Sequence, residues 1–163
     1  MKNIRKITWQ ITFIIITSIA VLLLSACGKD SSEDINIDID ALAESIVTGG
    51  KFKDSLSPIS SDMAKSLYGI TDDKITCCAY FGTGATAEQV AVFETDSSTS
   101  AGDLKAKLSD FLTSQAKEYA NYLPDEVSKL ESAYLEVKGK YVVLCVCEKP
   151  SEIGAIISGA ASK

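Results

Sequence analysis

No histidine occurs in this chain of 163 residues. Its absence excludes a Ser-His-Asp triad, a Cys-His dyad and every histidine-ligated metal site. Long clean apolar segments are missing too. A spanning helix takes about 20 consecutive apolar residues. The apolar run from about Ile11 to Leu24 is shorter and is broken by Thr12, Thr17 and Ser18. Cysteine is limited to Cys27, Cys77, Cys78, Cys145 and Cys147. Zinc sites favour two cysteines separated by two to four residues, usually on turns. Adjacent Cys77-Cys78 and the Cys145-Val146-Cys147 run do not fit that spacing, so no zinc is expected. The acidic alternation from Ile35 to Asp40 lacks the glycine and distal glutamate of a calcium loop. Gly82-Thr83-Gly84 could offer backbone N–H groups to a phosphate. A strand pattern rather than a helix follows it, so it reads as a turn. No cofactor is implied.

What is present starts at the N-terminus. Met1-Lys2-Asn3-Ile4-Arg5-Lys6 is basic, the apolar run follows, and it ends in Leu24-Ser25-Ala26-Cys27. This is the layout of a secretory signal. Its last four residues resemble the lipobox read by lipoprotein-processing enzymes, which attach a diacylglycerol to the thiol and cleave before it. The resemblance implies lipidation of Cys27 as the first mature residue. It also implies a location on the extracytoplasmic face of the cell membrane. Each buried methylene contributes about 0.8 kcal/mol, and two acyl chains hold where one does not.

Removing residues 1–26 takes Lys2, Arg5 and Lys6 and no acidic residue. It leaves 13 basic and 22 acidic side chains, a net charge of −9. Such a surface repels nucleic acid and anionic headgroups. Nucleic acid is therefore not an expected partner. Gly28 to about Asp34 is polar and acidic, with nothing to bury, and reads as a tether. The expected organisation is a signal peptide over 1–26, lipidated cysteine and tether over 27–37, and a single domain over 38–163.

Within the domain, Ile39, Leu42, Ala43, Ile46 and Val47 recur at helical spacing, with Asp38 or Asp40 as cap and Gly49-Gly50 as stop. Phe52 to Leu67 reads as a loop through Pro58 and then a short helix. Its start falls at Ser60, Ser61 or Asp62, and Met63, Ala64 and Leu67 share one side. Lys74–Phe81 and Gln89–Thr95 read as strands of a hairpin. Leu104, Leu108, Phe111, Leu112, Gln115, Tyr119 and Tyr122 mark one long amphipathic helix from Ala101 to Tyr122. Pro124 stops it, or starts a short helical turn from Asp125 to Leu130. Ala133–Lys138 and Tyr141–Cys147 make a second hairpin about Gly139-Lys140. The second of these strands is apolar on both faces, as in a covered central strand. Pro150 begins a last helix with Ile153, Ile156 and Ile157. The expected fold is α+β. A four-stranded antiparallel sheet, made of two hairpin-plus-helix units, is packed by the long helix and preceded by two N-terminal helices.

Four cysteines remain beside Cys27, and export permits disulfides. Cys77 and Cys78 point to opposite faces of a strand. Cys145 and Cys147 share a face but sit a pleat repeat apart. A bridge within either pair is strained, while a cross-strand bridge is allowed. Burial as small hydrophobes is the favoured expectation. A thiol-dependent redox or metal-handling role is the alternative. Tyr119, Tyr122, Tyr134 and Tyr141 could form a shelf for sugar or peptide; a core edge with hydroxyls in water is the commoner arrangement. Glu88 and Glu94 share a strand face without forming a close carboxylate pair, so an envelope hydrolase built on carboxylates is a weak third option.

Several segments together carry a family resemblance. They are Ala64-Lys65-Ser66-Leu67-Tyr68-Gly69-Ile70 and Gly82-Thr83-Gly84-Ala85-Thr86-Ala87-Glu88-Gln89-Val90-Ala91-Val92-Phe93. Gln115, Tyr122-Leu123-Pro124-Asp125-Glu126-Val127 and Gly139-Lys140-Tyr141 complete the set. Over roughly Ala41 to Gly159 the chain resembles lipoproteins of Gram-positive anaerobes filed as domain of unknown function 4358. The resemblance implies a bacterial, extracytoplasmic setting and transfers no catalytic residue. The double cysteines lie outside that pattern. The expected function is a non-catalytic binding or interaction module, held to the membrane through lipid on Cys27. Its partner is an envelope protein, an envelope polymer or a small ligand.

Overall fold

The computed structural model describes residues 36–160. The expected signal peptide, Cys27 and the expected tether through residue 35 lie outside the described residues. Asp38 caps helix α1 (Ile39–Gly49) with its side chain, accepting from the N–H groups of Asp40 and Ala41. That satisfies two of the donors a helix start leaves free. Strand β1 (Ser57–Ile59) follows, then α2 (Ser61–Leu67), capped by Ser60. The first hairpin is β2 (Thr76–Phe81) and β3 (Gln89–Glu94). The long helix α3 (Ser98–Tyr119) is capped by Ser97. A single 3₁₀ turn (Pro124–Glu126) leads into α4 (Val127–Glu131). The second hairpin is β4 (Tyr134–Lys138) and β5 (Tyr141–Val146), and α5 (Pro150–Ala160) ends the described chain. No helix among the described residues is long and apolar enough to cross a membrane.

The sheet has the order β1-β2-β3-β5-β4, antiparallel throughout. The two hairpins therefore lie side by side, with β3 and β5 at the centre. Gly139, at φ +59°, supplies the left-handed residue that the two-residue loop between β4 and β5 needs. Two of the sequence expectations are corrected. The sheet has five strands rather than four, because Ser57–Ile59 pairs with Phe81–Ala79 at the edge. Three residues are too few for a readable period. Pro58, which has no N–H to give, is tolerated only at such an edge. Among the described residues the helices number five, because the short helical turn allowed after Pro124 forms as a separate helix, α4, behind the 3₁₀ turn.

Helices cover both faces of the sheet. On one face, Leu104, Leu108 and Leu112 of α3 and Ala64 of α2 pack with Ala79, Phe93, Val142 and Leu144. On the other, Leu42 and Ile46 of α1 and Ile153 and Ile157 of α5 pack with Val90, Val92, Val143 and Cys145. This is why β3 and β5 read as continuous apolar runs. The short helix α2 turns differently from its expected phase. Ala64 is its buried residue, while Met63 and Leu67 are exposed.

Candidate functional site

The charged side chains that matter most are the buried ones. Glu88 immediately precedes β3 and is 1% exposed. One carboxylate oxygen, Oε2, accepts the backbone N–H groups of Lys53 and Asp54, both at 2.8 Å. The other, Oε1, takes the Lys129 ammonium at 2.9 Å. Lys129 stands one helical turn beyond Glu126 and bonds it at 3.0 Å. Its Nζ also lies 2.7 Å from Glu148 Oε1. Glu126 in turn accepts the N–H of Ala87 at 2.9 Å. One ammonium thus ties three carboxylates, and four stretches of chain meet at one end of the sheet.

The charge states follow from that geometry. Burial opposes the charge on Lys129. Hydrogen bonds to Glu148, Glu88 and Glu126 outweigh it and hold its pKa above the usual lysine value. The Lys129 and Lys53 ammonium groups lower the Glu148 carboxyl below its ordinary range. Lys53 reaches Glu148 from the solvent side at 3.1 Å. No buried side-chain nitrogen or oxygen among the described residues lacks a hydrogen-bond partner. Both Glu88 oxygens are committed to fixed donors, the arrangement of a structural tie rather than of a proton-transfer group.

A second tie explains the Gly82-Thr83-Gly84 turn. Its anion is the protein's own. Asp54 Oδ2 accepts the Thr83 N–H at 2.7 Å and the Thr83 hydroxyl at 2.8 Å. A Cβ at Gly82 would meet that same oxygen at 2.6 Å, so the close approach depends on glycine. The Thr83 side chain and backbone hold the Asp54 carboxyl below the usual carboxylate value. Stability from a depressed carboxyl is present above its unfolded pKa and is lost as pH falls through the folded one. Asp54→Asn is therefore expected to weaken the domain at neutral pH and to flatten the acid side of its melting profile. Unfolding followed between pH 7 and pH 3 checks this; an unchanged acid limb would count against the role given to Asp54.

A neutral chain of hydrogen bonds runs beneath the long helix. The Tyr68 hydroxyl donates to Gln89 Oε1 at 2.8 Å, and Gln89 Nε2 donates to Gln115 Oε1 at 2.9 Å. Tyr68 also packs edge-on against Phe93 and Phe111. Gln115, on the apolar stripe of α3, is thus bonded into this chain.

Other sequence candidates disperse. Tyr119 and Tyr122 pack together at 4.9 Å, with Tyr122 60% exposed. Tyr134 packs with the α1–α5 core, and Tyr141 is buried, its hydroxyl accepting the Ile37 N–H. The four tyrosines therefore form no shared shelf. Glu94 pairs with Lys140, far from the Glu88 tie. The four described cysteines are all free. Cys77 faces the α3 core, and burial pushes its thiol up to about 12. Cys78 faces the other way; burial and a hydrogen bond to Asp40 push it to about 12. Cys145 and Cys147 both lie buried in the α1–α5 core.

The Glu88–Lys129 tie went unseen in the sequence because a glutamate and a lysine three residues apart carry no local signal of burial. The available signal was their placement after the helix stop at Pro124, together with Glu88 inside an otherwise buried strand start. Among the described residues, two of the surface hollows are considered as places for a ligand. One, about 620 Å³, lies between α3, α4 and β4, lined by Leu112, Thr113, Ala116, Val127 and Leu135. The other, about 970 Å³, lies between α1 and the end of α5, beside Ile37, Leu42 and Ile156.

No curated protein and no solved structure matches the chain. A family model does, over residues 50–147. That span takes in Asp54, Tyr68, Thr83, Glu88, Gln89, Gln115, Glu126 and Lys129, and it stops one residue short of Glu148. Apart from Gly139-Lys140-Tyr141, the segments that carried the resemblance meet in space at the two ties and the Tyr68–Gln89–Gln115 chain. The chain belongs to the family described as domain of unknown function DUF4358.

Proposed function

We propose that this chain is an exported lipoprotein, held at the extracytoplasmic face of the cell membrane by lipid on Cys27. Its α+β domain serves there as a non-catalytic binding or interaction module for an envelope protein, an envelope polymer or a small ligand. The single observation behind the non-catalytic role is the state of the buried charges. Glu88, Glu126 and Lys129 satisfy one another and the backbone, so none is presented to a substrate. Support for the anchor comes from Leu24-Ser25-Ala26-Cys27 after an apolar run, followed by a polar stretch.

Lipidation needs the Cys27 thiol. Cells fed a palmitate analogue are expected to label the wild-type mature band and not the Cys27→Ser protein. Label persisting on the variant would remove the anchor. For the domain, Thr113 is exposed in the hollow between α3 and β4. Thr113→Arg is expected to block that hollow without touching the core. Partner capture from solubilised membranes, compared between wild type and Thr113→Arg, tests whether binding uses it; equal capture would place binding elsewhere.

A further inference from the structure

Resting on the reading of the domain as a binding module, we propose that β4 is its docking edge. An extended segment of an envelope protein adds to β4 as a further strand and sets apolar side chains into the hollow between α3 and β4. The sheet order makes β1 and β4 the two edges. The β1 edge is blunted, being three residues long with Pro58 at its middle. β4 keeps unbroken register with β5 over all its residues and carries neither proline nor bulge.

The phase of the ladder fixes which backbone groups face outward. The Thr95 N–H donates to the Lys140 carbonyl at 2.9 Å, so Lys140, Val142, Leu144 and Val146 turn their backbone groups toward β3. Tyr141, Val143 and Cys145 therefore turn theirs toward β4, where they stand opposite Lys138, Glu136 and Tyr134. That leaves the N–H and C=O groups of Leu135 and Val137 pointing away from the sheet. Among the described residues, no neighbouring strand or loop bonds them from that side. Another extended backbone offers donors and acceptors at the matching spacing, and main-chain bonds of this kind are how a peptide adds to a sheet edge. A sugar polymer or an acyl chain has no such repeat.

The side chains agree with the backbone. Leu135 and Val137 pack on the α3 side of the sheet, and Tyr134 on the α1–α5 side. The hollow beside β4 is floored by Leu112, Ala116, Val127 and Leu135. A strand laid along β4 puts every second side chain over that floor, so those positions are apolar. Lys105 and Lys117 stand on the α3 rim against Glu131 on the α4 rim. In so acidic a chain this is a local excess of positive charge, and it suits an acidic residue beside the apolar ones. A second copy of the chain would instead bring another acidic surface to the edge. One ion pair crosses the open side, Lys105 with Glu136 at 3.5 Å, both exposed. Glu136 alternates with Leu135 and Val137 and points to the other face, so Lys105 reaches it round the edge. An exposed pair of this kind holds little and yields to an arriving strand.

The test pans a displayed library of random peptides against the full-length protein in detergent. Enriched peptides are expected to be apolar at alternate positions, with an acidic residue nearby. When bound they should slow amide exchange at Leu135 and Val137 and leave Glu136, already in the ladder, unchanged. Val137→Pro removes one outward N–H without touching the β5 ladder, and should weaken these peptides about tenfold, the worth of one hydrogen bond. Thr113→Arg should weaken them as well, by filling the hollow. Should Val137→Pro fail to fold, wild-type amide exchange and Thr113→Arg still decide. No enrichment, a consensus at helical spacing, equal binding to a folded Val137→Pro, or protection confined to other amides would overturn the proposal. So would protection of Leu135 and Val137 that needs no peptide and rises with protein concentration, which would give the edge to a second copy. Capture of a membrane partner separates this proposal from the wider reading. Capture lost in Thr113→Arg but kept in Val137→Pro would leave a binding module whose ligand is not an added strand.

Discussion

Lys129→Met is expected to destabilise the domain by about 3–5 kcal/mol, the cost of leaving buried carboxylates without their partner. Glu88 would lose its Oε1 contact while keeping the Lys53 and Asp54 N–H groups on Oε2. Glu126 would lose one of the two donors on its Oε2. Neither carboxylate can turn to water without pulling its own stretch of chain out of the structure. A loss of this size in a domain of this length lowers the melting temperature by roughly 10 °C or more. Replacing the group as a whole is a different matter. A buried ionic cluster exchanged for neutral residues is often close to neutral in stability, because the desolvation cost goes with the attraction. Glu88→Gln and Glu126→Gln added to Lys129→Met are therefore expected to recover part of the lost stability. If the triple variant melts lower than Lys129→Met by the sum of the separate losses, the three groups are not coupled as the geometry requires.

The same tie has a positional consequence. It joins the Lys53–Asp54 stretch, the chain entering β3, the turn before α4 and the chain leaving β5. Only the chain entering β3 and the chain leaving β5 are brought together by a strand ladder, which ends at the Gln89–Val146 pair. The Asp54–Thr83 bonds add the turn between β2 and β3 to the set. The irregular chain at this end of the sheet is ordered by polar contacts, and the regular elements by apolar burial.

That division decides what the sequence could and could not disclose. The elements whose order comes from burial were legible. The stripe through Leu104, Leu108 and Leu112 located α3, and the continuous apolar runs located β3 and β5. Asp38, Gly139 and Pro150 punctuated the chain where they were read to do so. Elements held by polar contacts or by edge pairing were not legible. Strand β1 is too short to show alternation and carries a proline. Glu88 and Lys129 are of residue types normally found in water, and only the convergence of distant segments buries them. The tyrosines failed for the opposite reason. They are close in sequence pattern, but Tyr119 packs on the α3 side of the sheet and Tyr134 on the α1–α5 side, a fact that no local period records. The cysteines divided as the pleat requires, Cys77 from Cys78 and Cys145 with Cys147. That Cys147 stands just beyond β5 is a property of where the strand ends, which patterns place least well.

Leu108→Ala is the other large effect expected. Leu108 is fully buried on α3, surrounded by the apolar face of the sheet. Truncation removes three carbons and leaves a cavity that a 22-residue helix, capped at Ser97 and packed along its length, cannot close by shifting. Leu→Ala at such sites costs about 2–5 kcal/mol, with the larger values where collapse is prevented. Lys107, one residue earlier, is exposed; Lys107→Ala should stay within about 0.5 kcal/mol. The comparison is informative because a one-residue step on a helix turns the side chain by about 100°. If α3 lies on the sheet in the described phase, the two chemical-denaturation curves separate widely in midpoint and share one slope. Phe111, half-buried against Tyr68, should fall between them when changed to alanine, since part of its ring already meets solvent. Equal midpoints for the Leu108 and Lys107 variants would mean that the long helix is rotated about its axis. The Tyr68–Gln89–Gln115 chain would then be wrong as well, because Gln115 reaches Gln89 only in this phase.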